Sequence, residues 1–577
     1  MSLLGSGSTS SAFLRQLYRQ PPRVAHCFSH SSRAALNARG ERLVLGIETS
    51  CDDSCVSLVR APLDYGASLA QGKALPEGGE AHVVASVVLR QDHGATGGIE
   101  PLQAAHEHAA RLPSALLQAL EQARYTGDLS SGASQVPSEI DAIAVTQGPG
   151  MSGCLSSGLA MAKTLSALWK RPLLYVHHMA AHALTPFLTS PSLRFPYLSL
   201  LLSGGHSQLV LVLGLDDYEI LADATDGAIG NAFDKVARNL DAIDEWGTKP
   251  PGLQLEELAA QGIAHEHWAQ VQRARRGLPL DPSVPTPKQV AAQRLRERKT
   301  EGREEMLQQR ETGVKEDETG QEKNEPKEKG AMEGPKEQED VELPPPIPPL
   351  MRGLPIPFRG VPAFSFGGLK EAACAEIRNA QAQGHYDVRW RCRMAREFQK
   401  AAFAQLCDKL HMALEPETVR SRTVPPFARR EPETNKSAPR VRISDRRLDL
   451  GMPRENIKHL VVAGGVASNR SLRYVLRDAL DSMKRKDVHL CFPPIQFCTD
   501  NAAMIAHAGL LQWSQRTTDM RRFPRAKWSL ADLRVQEHEA AQAEAKAQEA
   551  QMEQRVEGRA ARALRNLDLG PGLAGAM

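Results

Sequence analysis

Four times along this chain a run of apolar, β-favouring residues ends in a glycine-bearing turn, and this repetition constrains the fold more than any other feature. Gly46-Ile47-Glu48-Thr49-Ser50 closes the run at 43–47, and Thr146-Gln147-Gly148-Pro149-Gly150 the run at 142–146. Ser203-Gly204-Gly205-His206 follows the run at 197–202, and Gly464-Gly465-Val466-Ala467-Ser468-Asn469 the run at 460–463. Glycine at a strand end lets backbone N–H groups approach a phosphate oxygen without interference from a Cβ atom. Residues 43–59 read as strand, turn, strand; 142–146 and 173–176 read as buried strands with a helix at 155–169 between them. A hairpin is expected from 197–202 and 208–213, and a strand, turn and helix from 460 onward. Two kinds of strand–glycine unit, each occurring twice, predict an α/β fold of two lobes, each a β-sheet flanked by helices. A phosphate-handling cleft is expected between them.

The length of 577 residues would allow three to five domains at roughly 100–200 residues each. With 38 prolines, 44 glycines and only 5% aromatic residues, much of it is not expected to pack. Lys and Arg number 71 against 68 acids, a balance of +3 that excludes a histone-like polycation and an acidic solvating protein. No apolar run approaches the 18 or so residues of a membrane helix; the longest candidate, 197–215, is broken at Ser203, so no membrane partner is expected. The nine cysteines are scattered, and neither Cys51/Cys55 nor Cys491/Cys498 has the spacing of a zinc ribbon or a disulfide framework. A reducing compartment follows.

The near-neutral balance conceals three biased segments. Residues 1–40 hold five arginines, eight serines and no acid, the composition of a mitochondrial transit peptide that a membrane potential can pull inward. Residues 296–342 lack any aromatic and carry 16 acids and 10 bases, too polar to offset the entropy of ordering. They run into the polyproline stretch that begins at Pro344, so 296–350 reads as a disordered insertion. Residues 416–447 form a second, basic insertion, with nine Arg/Lys against three acids over 420–447, and 536–577 a polar tail. The catalytic core is then 42–530, with the lobe boundary at roughly 175–200.

His178 and His182 lie four residues apart, so on a helix both imidazoles leave one face and can grip one metal ion. Met179 and Ala180 follow His178, so the glutamate of H-E-x-x-H is missing and a zinc peptidase would lack its general base. Asp500, in Cys498-Thr499-Asp500-Asn501 ahead of an apolar helical run at 502–511, offers a third ligand or a helix cap. Two histidines and one carboxylate leave coordination positions open for a substrate. Asp234, expected at the start of a helix, is placed to hydrogen-bond a ribose or another polar group, or to pair on the surface.

G-I-E-T-S-C-D-D (46–53), G-P-G (148–150), H-H-M-A-A-H (177–182), S-G-G-H (203–206), A-F-D-K (232–235), F-S-F-G-G-L-K (364–370), G-G-V-A-S-N (464–469) and C-T-D-N (498–501) occur in the order of one family. The chain resembles the tRNA N(6)-adenosine threonylcarbamoyltransferases, in the bacterial and organellar form of the histidine motif, over about residues 43–531 outside the insertions. The resemblance implies the two-lobed actin-like ATPase fold. It implies transfer of threonylcarbamoyl from threonylcarbamoyl-adenylate, supplied by a separate synthase, to the N(6) amine of adenosine 37 in tRNAs reading ANN codons. Mitochondrial tRNA in the matrix is the expected substrate, and a homodimer is left open. Carried over by position, His178, His182 and Asp500 would hold one divalent metal per subunit, Fe or Zn; Leu201, Leu202, Ser203, Gly204 and Gly205 would cradle the adenylate phosphate or acyl group. Asp234, Gly252 and Asn469 would contact the rest of the substrate, and Asp52 would be the active-site acid.

Departures from the family pattern spare the metal ligands. Gly227 replaces an aspartate, Asn231 a glutamate, Pro251 a glycine and Gly367 a serine, and Ala180 stands where the histidine motif usually has glutamate. Two other classes compete with this reading: a metallopeptidase built on His178 and His182, and a non-enzymatic nucleotide-binding scaffold using the basic segment for RNA.

Overall fold

The computed structural model describes residues 40–73, 80–93, 98–129, 136–190, 192–242, 250–261, 350, 353–415 and 448–533. The expected leader, both insertions and the tail lie outside them, except Gly40 and Leu350 at two margins. No helix among the described residues is long and apolar enough to cross a membrane.

The first lobe is built from β1 (Glu41–Glu48), β2 (Ser54–Pro62), α1 (Tyr65–Ala70), β3 (His82–Leu89), α2 (Pro101–Tyr125), β4 (Ala142–Gly148), α3 (Ser152–Trp169), β5 (Leu173–His177) and α4 (His178–Leu184). Its sheet has the order β3-β2-β1-β4-β5, with β1, β4 and β5 parallel and β2 antiparallel to β3. Alternation decides which core each residue joins. Leu43, Leu45 and Ile47 of β1 face one cluster with α2 and α3, and Val44 faces the other way. Because both faces are covered, the strands read as nearly unbroken apolar runs. Helix α2 begins at Pro101, whose missing N–H costs nothing at that position, and the Glu100 side chain caps Leu102 and Gln103.

The second lobe holds β6 (Tyr197–Leu202), β7 (Ser207–Val212), β8 (Tyr218–Ala224), α5 (Ile229–Asn239), β9 (Ala363–Phe364), α6 (Phe366–Ala382), α7 (Val388–Leu414), β10 (His459–Ala463), α8 (Arg470–Ser482) and β11 (His489–Cys491). Its sheet order is β11-β10-β6-β7-β8-β9. The first sheet thus ends at His177 and the second starts at Tyr197. Helix α9 (Ala502–Leu511) then returns to the first sheet. Apart from His507 it is apolar all round, and every residue is buried, as in a helix covered on all sides. With α4 it fills a third core cluster that draws Val44 and Ala144 from one sheet and Leu201 and Val461 from the other. At about 1.5–3 kcal/mol for each fully buried large apolar side chain, this seam holds the two lobes in register.

Candidate functional site

The site forms where α9 meets β1. An added Cβ at Gly46 would lie 2.2 Å from the Ala502 carbonyl oxygen, so only glycine admits the helix N-terminus this close to the strand. Asn501, rather than Asp500, is the cap: its side chain accepts from Met504 N at 2.9 Å. Asp500, one residue earlier, is free to turn toward α4. On that short helix, His178 and His182 stand one turn apart with ring centroids 4.7 Å apart. His182 Nε2 is 3.0 Å from Asp500 Oδ1 and His178 Nε2 is 3.6 Å from it. Ligand atoms of all three residues lie within 4.8 Å of one another.

Glu48 completes this arrangement, and sequence reasoning left it unassigned. It sits at the end of β1 with 1% exposure. Its carboxylate accepts from Ser50 N, from Thr146 Oγ1 and from His178 Nδ1, the last at 3.1 Å. That bond fixes the His178 ring and leaves Nε2 facing Asp500, the arrangement by which a carboxylate orients a metal-binding imidazole. His182 is held differently: its Nδ1 is buried with no hydrogen-bond partner among the described residues. A detectable clue did exist in the sequence. An acid placed directly after Leu-Gly-Ile in a buried strand must be paired, because an unpaired buried carboxylate is too costly.

Two carboxylates set the electrostatics of the pocket. Burial lowers the pKa of His178, but the Glu48 and Asp500 carboxylates outweigh it and push it up to about 9. Burial likewise opposes ionisation of Asp500, yet the His178 and His182 imidazoles hold it well below the usual carboxylate range. Buried Glu48 and half-buried Asp500 thus favour positive charge here, and two imidazoles with one carboxylate suit a divalent transition metal once His178 gives up its proton. His177 has no such partner, and burial pushes it down to about 3; its ring is neutral, accepting from Ala180 N and donating to the Trp528 carbonyl.

The second lobe supplies the opposite wall. Ser203 Oγ accepts from Gly205 N and His206 N at 3.3 and 3.0 Å, holding the turn open, and no atom lies within 4 Å of a Cβ built on Gly204 or Gly205. His206 links this turn to the histidine cluster: burial, then the positive charges of His178 and His182, push its pKa down to about 4. Leu201 and Leu202 are buried at the end of β6, so only their backbone can serve the turn. Asp234 and Gly252 come together, with Gly252 N donating to Asp234 Oδ1 at 3.1 Å. Asp234 occupies the second turn of α5 instead of its start, and burial raises its pKa. Asn469 caps α8 through Leu472 N and donates to Gln399 Oε1 at 2.9 Å. Asp52 lies in the turn after β1, 3.8 Å from His93 Nε2. Its neighbour Asp53 is pushed up to about 7 by burial and by the Asp52 and Asp500 charges.

The expectation of four open glycine turns is corrected. At Gly148 a Cβ would lie 1.9 Å from the Arg525 oxygen, at Gly150 2.6 Å from the Ser50 oxygen, and at Gly464 2.4 Å from the Leu202 oxygen. At these glycines, as at Gly46, the side-chain position is taken by neighbouring backbone, so the residue type there is explained by packing without a phosphate. Two of the departures from the family pattern have local accounts. Asp226 accepts from Ser365 Oγ, Gly367 N and Gly368 N, and a Cβ on Gly367 would lie 2.7 Å from the Asp226 carbonyl oxygen. Gly227 has φ +142°, a region that L residues rarely enter.

Comparison with known families matches residues 82–283 and 317–507 to tRNA N6-adenosine threonylcarbamoyltransferase. A protein of that name from Chelativorans sp. is 30% identical over 494 residues, covering 84% of this chain and 94% of the relative. One from Novosphingobium aromaticivorans is 31% identical over 469 residues, covering 81% and 89%, and one from Rickettsia akari is 27% identical over 501 residues, covering 85% and 99%. Among solved structures, full-length HypF in its phosphate- and nucleotide-bound form aligns with 82% of this chain and 47% of its own, at 10% identity and a TM-score of 0.34. With matched segments spanning both lobes and containing the His178–His182 pair and Asp500, the chain belongs to the tRNA N6-adenosine threonylcarbamoyltransferase family.

Proposed function

We propose that this transferase, whose family modifies tRNA, moves a threonylcarbamoyl group from threonylcarbamoyl-adenylate to the N(6) amine of adenosine 37 in mitochondrial tRNAs reading ANN codons. The observation that carries the proposal is that the Gly464–Gly465 turn packs on both Leu202, next to the open Ser203–Gly205 turn, and Thr499, next to Asp500 of the histidine cluster. Open backbone beside a three-ligand pocket suits an adenylate mixed anhydride, which has a phosphate and an acyl carbonyl side by side. His178, His182 and Asp500 would hold one divalent ion, iron or zinc, which supplies Lewis-acid polarisation of a carbonyl or phosphoryl oxygen when bound. Gly204 and Gly205 would seat the phosphate oxygens, while Asp234 and Asn469 would fix the remainder of the donor. The amine nitrogen attacks the acyl carbon, the bond from that carbon to the phosphate oxygen breaks, AMP leaves with that electron pair, and the amine proton passes to water. Asp52, in the turn after β1, is the proposed active-site acid. Holding donor and amine in line converts a bimolecular step into a local one.

The metallopeptidase reading finds less support, since buried Met179 stands directly after His178, where such enzymes carry glutamate. The acid-free leader supports a mitochondrial address. The test is purified protein with a tRNA transcript and threonylcarbamoyl-adenylate, read by nucleoside mass spectrometry. Modified adenosine should form with wild type and not with His182→Ala. Depletion in cells should lower the modification in mitochondrial and not cytosolic tRNA; an unchanged mitochondrial level would refute the assignment.

A further inference from the structure

After the turn at Trp513–Gln515, residues 516–529 run as an irregular ribbon along the first lobe, yet their backbone is pinned throughout. Thr517 and Leu173 exchange two backbone hydrogen bonds of 2.8 Å, pairing the ribbon with β5. Tyr175 Oη donates to the Asp519 oxygen, Lys163 Nζ to the Arg522 oxygen and Gln147 Nε2 to the Phe523 oxygen, at 2.7, 2.6 and 3.0 Å. Arg525 N donates to the Gln147 oxygen at 2.8 Å and Gly150 N to the Ala526 oxygen at 3.2 Å. The ribbon ends on His177, the residue before His178, through the Trp528 oxygen at 3.2 Å.

The side chains tell the other half. Arg516, Arg521, Arg522, Arg525 and Lys527 are exposed, and Asp519 is the single acid between 516 and 529. Arg522 lies over the Tyr175 ring at 5.0 Å and Arg525 over Trp528 at 4.5 Å, contacts that orient the guanidinium groups and leave them in solvent. Phe523 is 76% exposed among them. Sealing the β5 edge explains the backbone pairing and requires none of these cations. A fixed row of cations around one exposed ring matches a phosphodiester chain with an unstacked base. A membrane-surface element would instead present an amphipathic helix.

We infer that the 516–528 ribbon is a docking surface for the phosphate backbone of the RNA substrate, with Phe523 as a platform for an unpaired base. The substrate class rests on the function proposed above; the surface itself rests on the ribbon. The test uses the full chain and a labelled tRNA transcript, with affinity measured across salt concentrations. Replacing Arg521, Arg522, Arg525 and Lys527 together by alanine should weaken binding on the order of 100-fold, and the slope of log affinity against log salt should fall by about three. The KM for tRNA should rise while that for threonylcarbamoyl-adenylate and the thermal midpoint hold. Phe523→Ala should weaken binding about tenfold with the salt slope intact. Unchanged tRNA affinity and slope in the fourfold variant would overturn the inference. So would a loss confined to binding of phosphatidylserine vesicles. A wild-type protein that binds tRNA through these residues but never modifies it would refute the proposed function and leave the docking surface standing.

Discussion

The glycine turns of the two lobes carry similar sequences and do opposite work. In the first lobe Gly46, Gly148 and Gly150 are spaces already taken by the backbone of Ala502, Arg525 and Ser50. In the second, Gly204 and Gly205 face open space, and only Gly464 is filled, by Leu202. Glycine lets a backbone be approached closely, but nothing in the residue type says whether protein or ligand makes the approach. The first-lobe turns close the protein around its histidines and acids; the Ser203–Gly205 turn leaves room for a reactant.

Removing the groups enclosed by the first lobe should produce the largest effects. His182→Ala or Asp500→Ala should reduce metal content by elemental analysis to background and cut transfer activity by at least about 1,000-fold, because each variant leaves two ligands. Glu48→Gln keeps those ligands and weakens only the orientation of His178, so metal affinity should fall by about 10–100-fold. Equal metal occupancy in Glu48→Gln across a chelator titration would remove Glu48 from this role. Next in size is Gly46→Ala. Its methyl would drive into the backbone of α9, and chemical denaturation should show a loss of about 3 kcal/mol. A loss below about 0.5 kcal/mol would show that α9 can retreat from β1 without consequence.

Much of this architecture was legible because its residues obey periodic rules. Strands at 142–148 and 197–202 and the helix at 502–511 lie where apolar runs placed them, and His178 with His182 was recognisable from a four-residue spacing. Glu48 was only half legible: its place in a buried strand implied a partner, but nothing in the sequence named His178, 130 residues away, as that partner. The partition between Asp500 as ligand and Asn501 as cap depends on backbone direction at one residue, φ −156° at Asn501. Residues 516–529 were read as part of the core without any role. Their order comes from single hydrogen bonds to β5 and the 147–150 turn, which leave no periodicity behind.

A smaller effect separates the seam from the cleft by pH. His507, on the buried face shared by α9 and Tyr65, is pushed down to about 3 by burial. A group whose folded pKa lies below its unfolded value contributes stability above the unfolded pKa, near 6.5, and loses it as pH falls toward the folded one. Between about pH 6 and 4 the unfolded chain binds the extra proton, so His507→Gln should remove about 1.4 kcal/mol per pH unit from the slope of unfolding free energy. An unchanged slope would mean that this ring is already protonated in the folded protein.

The smallest stability change is expected at Gly204, and it is the most direct test of the contrast between the lobes. A Cβ there meets nothing within 4 Å, and its φ lies outside the region that disfavours L residues. Gly204→Ala should therefore leave unfolding free energy unchanged or raise it by up to about 1 kcal/mol, since alanine restricts the unfolded chain. The added methyl nevertheless occupies the space proposed for the donor phosphate, and the KM for threonylcarbamoyl-adenylate should rise about tenfold with tRNA affinity intact. Gly46→Ala should show the reverse order: destabilised first, and impaired in activity only as far as it unfolds or displaces Asp500. If Gly204→Ala proved as destabilising as Gly46→Ala, the second-lobe turn would be a packed one and the phosphate seat would have to lie elsewhere.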